Sequence, residues 1–443
     1  MTDRLYYQDS YAIEFDARVT SAGDLDGRPY VVLDRTAFYP TSGGQPHDTG
    51  TLVRLKPDTT DAAATTDVTA TTGAATSTGA AARVVEVIDR EDDGAILHVI
   101  EGQLETGAAV KGRIDRARRF DHMQQHTGQH VLSAAFDRLF YAHTVSFHLG
   151  SAACTIDLDR EVPATSVAAA EDEANRVVWE DRPVAVRFAT PEEAAALPLR
   201  KEPQRAGLLR LIEVEGYDLS ACGGTHVART GAVGVIAVSS CERFKGGLRV
   251  EFLCGGRALR VHRTLRETVA GSVRALSVLP DELPAAIERA QAENKQLRKT
   301  IRDLTDELAV HKADVLATRG ARVGGVTLVA EALDGWDAGG LKALATAVAA
   351  KPGHVAALVT TASPALIVIA RAADTRVDAA AVLKALIARF GGKGGGKPDL
   401  AQGGGLTGAP ADVLDAIRES IAQALEACLA PYRSATAGQE EQS

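Results

Sequence analysis

The sequence predicts an α+β protein of several domains, and three observations carry that prediction. The chain has 443 residues, enough for roughly two to four domains at about 100–200 residues each. Its first hundred residues read as short strands, whereas 287–311 repeats apolar residues at spacings of three and four. Residues 321–433 then alternate apolar β-branched runs with Ala-rich stretches, the rhythm of a separate α/β domain.

Composition narrows the function classes. Hydrophobic residues make up 45% of the chain, which excludes uniform disorder. No apolar run approaches the ~20 residues that span a bilayer, so no membrane partner is expected. The opening MTDRLYYQDSYAIEF has neither a basic nor an apolar leader region, and five scattered cysteines make a poor disulfide framework. Both fit a reducing cytoplasm. The net charge of −9 speaks against nucleic acid as a partner only in bulk, because phosphate contacts need a local basic patch.

Taken in order, residues 1–110 form the first domain, with strands at Tyr30–Leu33 and Val84–Ile88. Between them, 57–82 is almost entirely Ala, Thr, Asp, Gly and Ser, and is expected to be a disordered insertion. Residues 111–262 form a mixed α/β domain. Its first segment carries Ile114, Phe120, Met123, Val131, Leu132 and Phe136 on a helical beat. Residues 263–320 form a helical segment. Ile287, Ala290, Asn294, Leu297, Ile301, Leu304, Leu308 and His311 make a coiled-coil seam of about three heptads, which either pairs with a second copy or packs back on a helix at 257–275. The last domain spans 321–433, with strands at 326–329, 356–359 and 366–369.

The sharpest chemical signal is two metal-binding pairs. His126 and His130, in MQQHTGQHVLSAAF, lie one helical turn apart, which places the imidazoles about 6 Å from each other. Cys222 and His226, in ACGGTH, flank two glycines that allow a tight loop. Three nitrogens and one sulfur suit zinc. Four ligands would close the shell as in structural sites; three would leave a place for water, and His226 is the residue best able to act on substrate instead. The motif HTGQH lacks the Glu of HExxH, which disfavours a zinc peptidase.

A second constellation, TAFYPTSGGQP, ends a strand in polar groups (Thr36, Thr41, Ser42, Gln45) and in Gly43 and Gly44, where backbone can approach a ligand. Basic residues cluster before the first helix (Lys111, Arg113, Arg116, Arg118, Arg119) and around a second Gly-rich turn (Arg243, Lys245, Arg249, Arg257), where they could hold phosphates or be solvated. Residues 391–405, GGKGGGKPDLAQGGG, are either a flexible linker or an anion site in which Lys393 and Lys397 precede a helix N-terminus.

Together TAFYPTSGGQP, MQQHTGQHVLSAAF, ACGGTHV and GGKGGGKPDLAQGGG, in this order, resemble the editing region and C-terminal domain of alanyl-tRNA synthetase; CERFKGGLRVEFLCGGRAL fits the same picture. The start at the editing part, with no aminoacylation core before it, resembles the long form of the free-standing alanyl-tRNA editing proteins, the AlaX family. The resemblance implies a translation-factor-like β-barrel, a zinc-containing editing domain, a helical segment and a DHH-associated C-terminal domain. It implies hydrolysis of the ester joining a wrong amino acid, chiefly serine and in some members glycine, to alanine tRNA. It places one zinc on His126, His130, Cys222 and His226, and sets Thr36 and Gln45 near the misattached amino acid. The C-terminal domain is implied to contact tRNA and to support a homodimer. On this reading Thr36, Gln45 and His226 are the catalytic candidates, and Gly43, Gly44, Arg118, Arg119, Lys245, Arg249, Lys393 and Lys397 the substrate-binding ones. A tRNA-binding module without catalysis, or a detached synthetase fragment, are the rival expectations.

Overall fold

Alternation along Glu14–Leu25 (β1) buries Phe15, Ala17 and Val19 on one face of the strand. A strand with one buried face must close on others like it, and here it does so fully. In the computed structural model, which describes residues 2–55, 81–200 and 207–440 (side chains to 426), β1 joins Arg28–Leu33 (β2), Gly50–Arg54 (β3), Ala81–Arg90 (β4), Ala95–Glu101 (β5) and Ala109–Ile114 (β6). They form a closed barrel in the order β1-β2-β5-β4-β3-β6. Phe15, Phe38, Leu52, Val84, Ile96 and Val110 fill its interior. The barrel runs past the expected boundary at 110 as far as Ile114, because β6 is needed to pair with both β1 and β3. The Thr/Ala-rich insertion expected at 57–82 lies outside the described residues, except that Ala81 and Ala82 begin β4.

Helix α1 (Arg116–Phe140) follows at once, capped by the Asp115 carboxylate, which accepts from the Ala117 and Arg118 amides. It is buried without interruption from Gln125 to Phe136. Around it lie β7 (Thr144–Leu149), β8 (Cys154–Leu158), helix α2 (Ala164–Trp179), β9 (Val184–Ala189), β10 (Leu209–Val214), β11 (Asp218–Ala221), β12 (Ile236–Phe244) and β13 (Gly247–Cys254). Two antiparallel sheets result, β12-β13-β8-β7 and β9-β10-β11. Met123, Leu132 and Phe136 of α1 meet Val177 of α2 and Phe252 of β13 in a shared core. These elements, with the start of α3 (Gly256–Leu276), make up a first compact unit, residues 1–271.

The second unit is 272–443. It opens on the 36-residue helix α4 (Leu283–Thr318). Near its C-terminal end α4 buries Ala309, Ala313 and Leu316, which pack against Leu341, Leu344 and Val348. The heptad seam lies on a different face: Leu297, Ile301, Leu304 and Leu308 are all more than half exposed. Beyond it, β14 (Ala321–Val323), β15 (Val326–Leu333), α5 (Ala338–Ala349), β16 (His354–Thr360), β17 (Ala365–Arg371), α6 (Ala379–Phe390), β18 (Lys393–Gly396), β19 (Leu400–Leu406) and α7 (Pro410–Glu440) build a six-stranded sheet ordered β14-β15-β16-β17-β19-β18. Only β15 and β16, joined through α5, run parallel, so the βαβ rhythm of the sequence holds for one unit alone. The glycine-rich 391–405 is neither linker nor helix-capping loop. Its amides lie in the β18–β19 ladder, with Gly394 opposite Gly403 and Gly396 opposite Ala401. A Cβ at Gly394 or Gly396 would fall within about 2.5 Å of the partner strand's backbone, which accounts for the composition. Among the described residues no helix is long and apolar enough to cross a membrane.

Candidate metal centre and its cavity

Helix α1 is wedged into place at its first turn. Arg119 is 1% exposed, pairs with Asp48 and donates to the Ser10 carbonyl at 2.7 Å. A guanidinium spent this way cannot reach a phosphate, so the expectation for Arg119 is corrected: it joins α1 to the barrel. Two and three turns later the helix presents His126 and His130, with ring centroids 5.4 Å apart.

The second pair comes from the loop after β11. Arg210 draws this loop inward, with Nη1 donating to the Cys222 carbonyl at 2.8 Å and to the Gly224 carbonyl at 2.9 Å. A Cβ on Gly224 would stand 2.1 Å from the His126 ring, so only glycine lets the loop close here. His226 then lies 4.5 Å from His126 and 4.8 Å from His130, centroid to centroid. Cys222 Sγ is 3.3 Å from Nε2 of both His126 and His226. The four donor atoms all lie within 4.8 Å of one another.

The outward nitrogens are all engaged. His126 Nδ1 donates to Gln45 Oε1 at 2.8 Å. His130 Nδ1 donates to Asp218 Oδ2 at 3.0 Å, and Asp218 is itself held by Arg200 at 2.7 Å. His226 Nδ1 meets Thr127 Oγ1 at 3.2 Å. With Nδ1 occupied in each ring, Nε2 is left to turn inward, the arrangement that fixes tautomer and direction in metal-ligating histidines. Tetrahedral bonds of about 2.1 Å to nitrogen and 2.3 Å to sulfur need N···S near 3.6 Å, so a small expansion would seat an ion. The donor set fits zinc. Burial alone would push the Cys222 thiol up, but the imidazoles around it draw it well below its ordinary value. Burial lowers His226 to about 3, whereas at His130 burial is outweighed by the hydrogen bonds it makes to Asp218 and Cys222, which hold it up at about 9.

His130, Cys222, Gly223 and Gly224 form part of the wall of a cavity of about 870 Å³. Tyr6, Tyr7, Tyr39, Phe147 and Phe188 add rings, and Ser42, Gly43 and Gly44 also line it. Gly43 and Gly44 have φ of 51° and 78°, and a Cβ at Gly44 would strike Phe147. Three residues of this lining hold a buried polar atom without a partner: Tyr6 (the hydroxyl), Gln129 (Oε1) and Arg210 (Nη2).

Other expected residues are placed elsewhere. The Thr36 hydroxyl is fully buried, bonds His98 Nε2 at 2.8 Å inside the barrel, and is absent from the cavity lining. Gln45 is fully buried and spends both ends of its amide on His126 and Thr225, so it orients a donor and meets no substrate. His226 has neither nitrogen free to act as a base. Arg118 donates to the His47 carbonyl at 2.9 Å, and Arg249 binds Asp157 through two nitrogens at 2.7 and 3.0 Å while stacking on Phe244. Lys245 is exposed at the β12–β13 turn, and Lys393 and Lys397 are exposed in the second unit. Thr127, Gln129, Arg210 and Asp218 were missed. The first two stood inside the HTGQH motif, but the sequence cannot say which way a side chain on a fully buried helix points.

Residues 209–251 match the threonyl and alanyl tRNA synthetase second additional domain, and 325–427 the DHHA1 domain. The chain is 29% identical over 96% of its length to the alanyl-tRNA editing protein AlaX-L of Pyrococcus horikoshii, covering all of that protein. Over nearly its whole length, the chain resembles the long-form alanyl-tRNA editing proteins. The first match runs from β10 into β13 and includes Arg210, Asp218, Cys222 and His226. Alanine–tRNA ligases are also similar: 34% identity to that of Methanoregula boonei over 96% of this chain and 44% of the ligase, and 32% to that of Pyrococcus abyssi over 91% and 42%. The chain thus spans less than half the length of these ligases.

Proposed function

We propose that this protein is a trans-editing hydrolase that cleaves the ester of serine wrongly attached to alanine tRNA. The observation that carries the reading is the His₃Cys cluster in the wall of a cavity large enough for an aminoacyl-adenosine end. Full-length similarity to an editing protein supports it.

His126, His130, Cys222 and His226 would hold one zinc ion. Four protein donors fill a tetrahedral shell, and the ion would supply a fixed positive charge and a cross-link between α1 and the 222–226 loop. The chain's own groups do the rest. The aromatic rings offer faces for the terminal adenine, since base–aromatic stacking tolerates such surfaces. Arg210 Nη2, a buried donor with no acceptor, would take the negative charge that develops on the ester carbonyl oxygen as water adds. The carbon–oxygen bond to the ribose then breaks, and the ribose hydroxyl leaves with a proton. The second unit would bind tRNA through Lys393 and Lys397, and the exposed α4 seam would pair two chains. The setting would be the cytoplasm, where charged tRNA is found.

The test is deacylation of serine-, glycine- and alanine-charged alanine tRNA, with and without chelator. Hydrolysis of the serine ester that chelation abolishes is expected. Binding of tRNA with no hydrolysis of any ester would make the chain a binding module. Arg210→Lys should lower kcat by about 100-fold, the size of one lost oxyanion donor, while zinc content reports whether the loop is intact.

A further inference from the structure

Gln129 is 2% exposed, one residue before His130 and three after His126 on α1. Its amide is held in a fixed orientation. Nε2 donates to Ser133 Oγ at 2.8 Å, and Ser133 Oγ also takes the Thr144 hydroxyl at 2.8 Å. That leaves Oε1 as a buried acceptor without a donor, on the lining of the cavity that His130 and Cys222 share. Buried acceptors are seldom left this way, and those that are point to a group the structure does not contain.

We infer that Gln129 is the specificity-determining residue of this site: its carbonyl oxygen accepts the side-chain hydroxyl of the misattached serine. The inference rests on the editing reading above. On that reading the reacting ester lies beside the metal cluster, so the amino acid side chain is the part of the substrate next to α1. Serine brings a hydroxyl donor. Alanine and glycine bring none and leave Oε1 desolvated and unpaired. A site built to bond a hydroxyl rejects the analogue lacking it far better than an apolar pocket can separate substrates by size. The pair that an editing enzyme must separate differs by this one group, and glycine esters fall on the rejected side with alanine.

The test uses the full-length, zinc-loaded chain and two stable probes, 3′-amide-linked seryl- and alanyl-adenosine, with Kd measured by calorimetry. The wild type should bind the seryl probe about 10- to 100-fold more tightly, the size of one buried hydrogen bond made or left unmade. Gln129→Met, equal in length and without the acceptor, should bring the two affinities together with zinc content unchanged. Should that variant fail to fold, Gln129→Asn, which withdraws the carbonyl by one carbon, reads the same ratio. A preference that survives the substitution overturns the inference. So does an equal weakening of both probes, which would place Gln129 on a group common to them. A wild type that binds both probes and hydrolyses charged tRNA but shows no serine preference sinks the inference alone. One that binds neither probe and hydrolyses nothing overturns the editing reading and this inference with it.

Discussion

The side chains that do most to orient the four candidate metal donors are not donors themselves. Gln45, Asp218 and Thr127 each occupy the far nitrogen of one imidazole. Losing such a partner costs metal affinity about 10- to 100-fold in comparable sites. Gln45→Leu and Asp218→Asn should each weaken zinc binding by about that factor, measured by competition with a chromogenic chelator. Unchanged affinity in both would mean that the rings are held by packing alone. Cys222→Ala should abolish stoichiometric zinc and deacylation together; full activity without metal would rule out any role for the ion. His98 makes a different prediction. Burial lowers it from 6.5 to about 4, and it is neutral between the Thr36 hydroxyl and the Val31 carbonyl. Its unfolded form takes up a proton first, so its contribution is complete above pH 6.5 and is lost as pH falls towards 4. The loss is worth about 3 kcal/mol. Urea unfolding at pH 7 and pH 4.5 should therefore show a smaller pH effect in His98→Gln than in the wild type.

At the scale of elements, the site is the meeting of a rigid helix with a loop that only glycine can close. Gly224→Ala would put a methyl group into the His126 ring, so zinc should be lost while the barrel stays folded. Wild-type zinc content in that variant would show that the loop has room to retreat. Helix α4 serves two masters on two faces. Ala309, Ala313 and Leu316 bind it to the second unit, and Leu297, Ile301, Leu304 and Leu308 face solvent. If that seam joins two copies, Leu297→Asp with Leu304→Asp should halve the mass seen by sedimentation with little change in Tm, because neither residue is part of the chain's own core. An unchanged mass would remove the seam from assembly.

For the whole molecule, charge is distributed so that the acidic total misleads. Most of the arginines that stood out as phosphate ligands are matched within the fold: Arg119 by Asp48, Arg249 by Asp157, Arg257 by Asp121 and Arg113 by Glu14. Lys393 and Lys397 are exposed in a glycine ribbon at the sheet edge. If they hold tRNA phosphates, replacing both by alanine should flatten the dependence of log K on log salt by about 1.5 and weaken binding to all tRNAs alike. An unaltered slope would move the tRNA contact elsewhere.

The sequence by itself determined the short strands of the first hundred residues, the heptad seam and the four candidate metal donors. Those features are periodic or local: a strand's face repeats every two residues, a helix turn brings His126 to His130, and two glycines fold Cys222 towards His226. Only the tertiary structure decided the work of single polar residues. Thr36 and Gln45 looked like substrate ligands, yet one is spent on His98 and the other on His126, from strands and helices 62 and 81 residues away in the chain. Gln129, hidden inside the same motif as the histidines, turns out to hold an unpaired acceptor on the lining of the cavity. A hydrogen bond has a direction and a partner, and distant chain segments supply both.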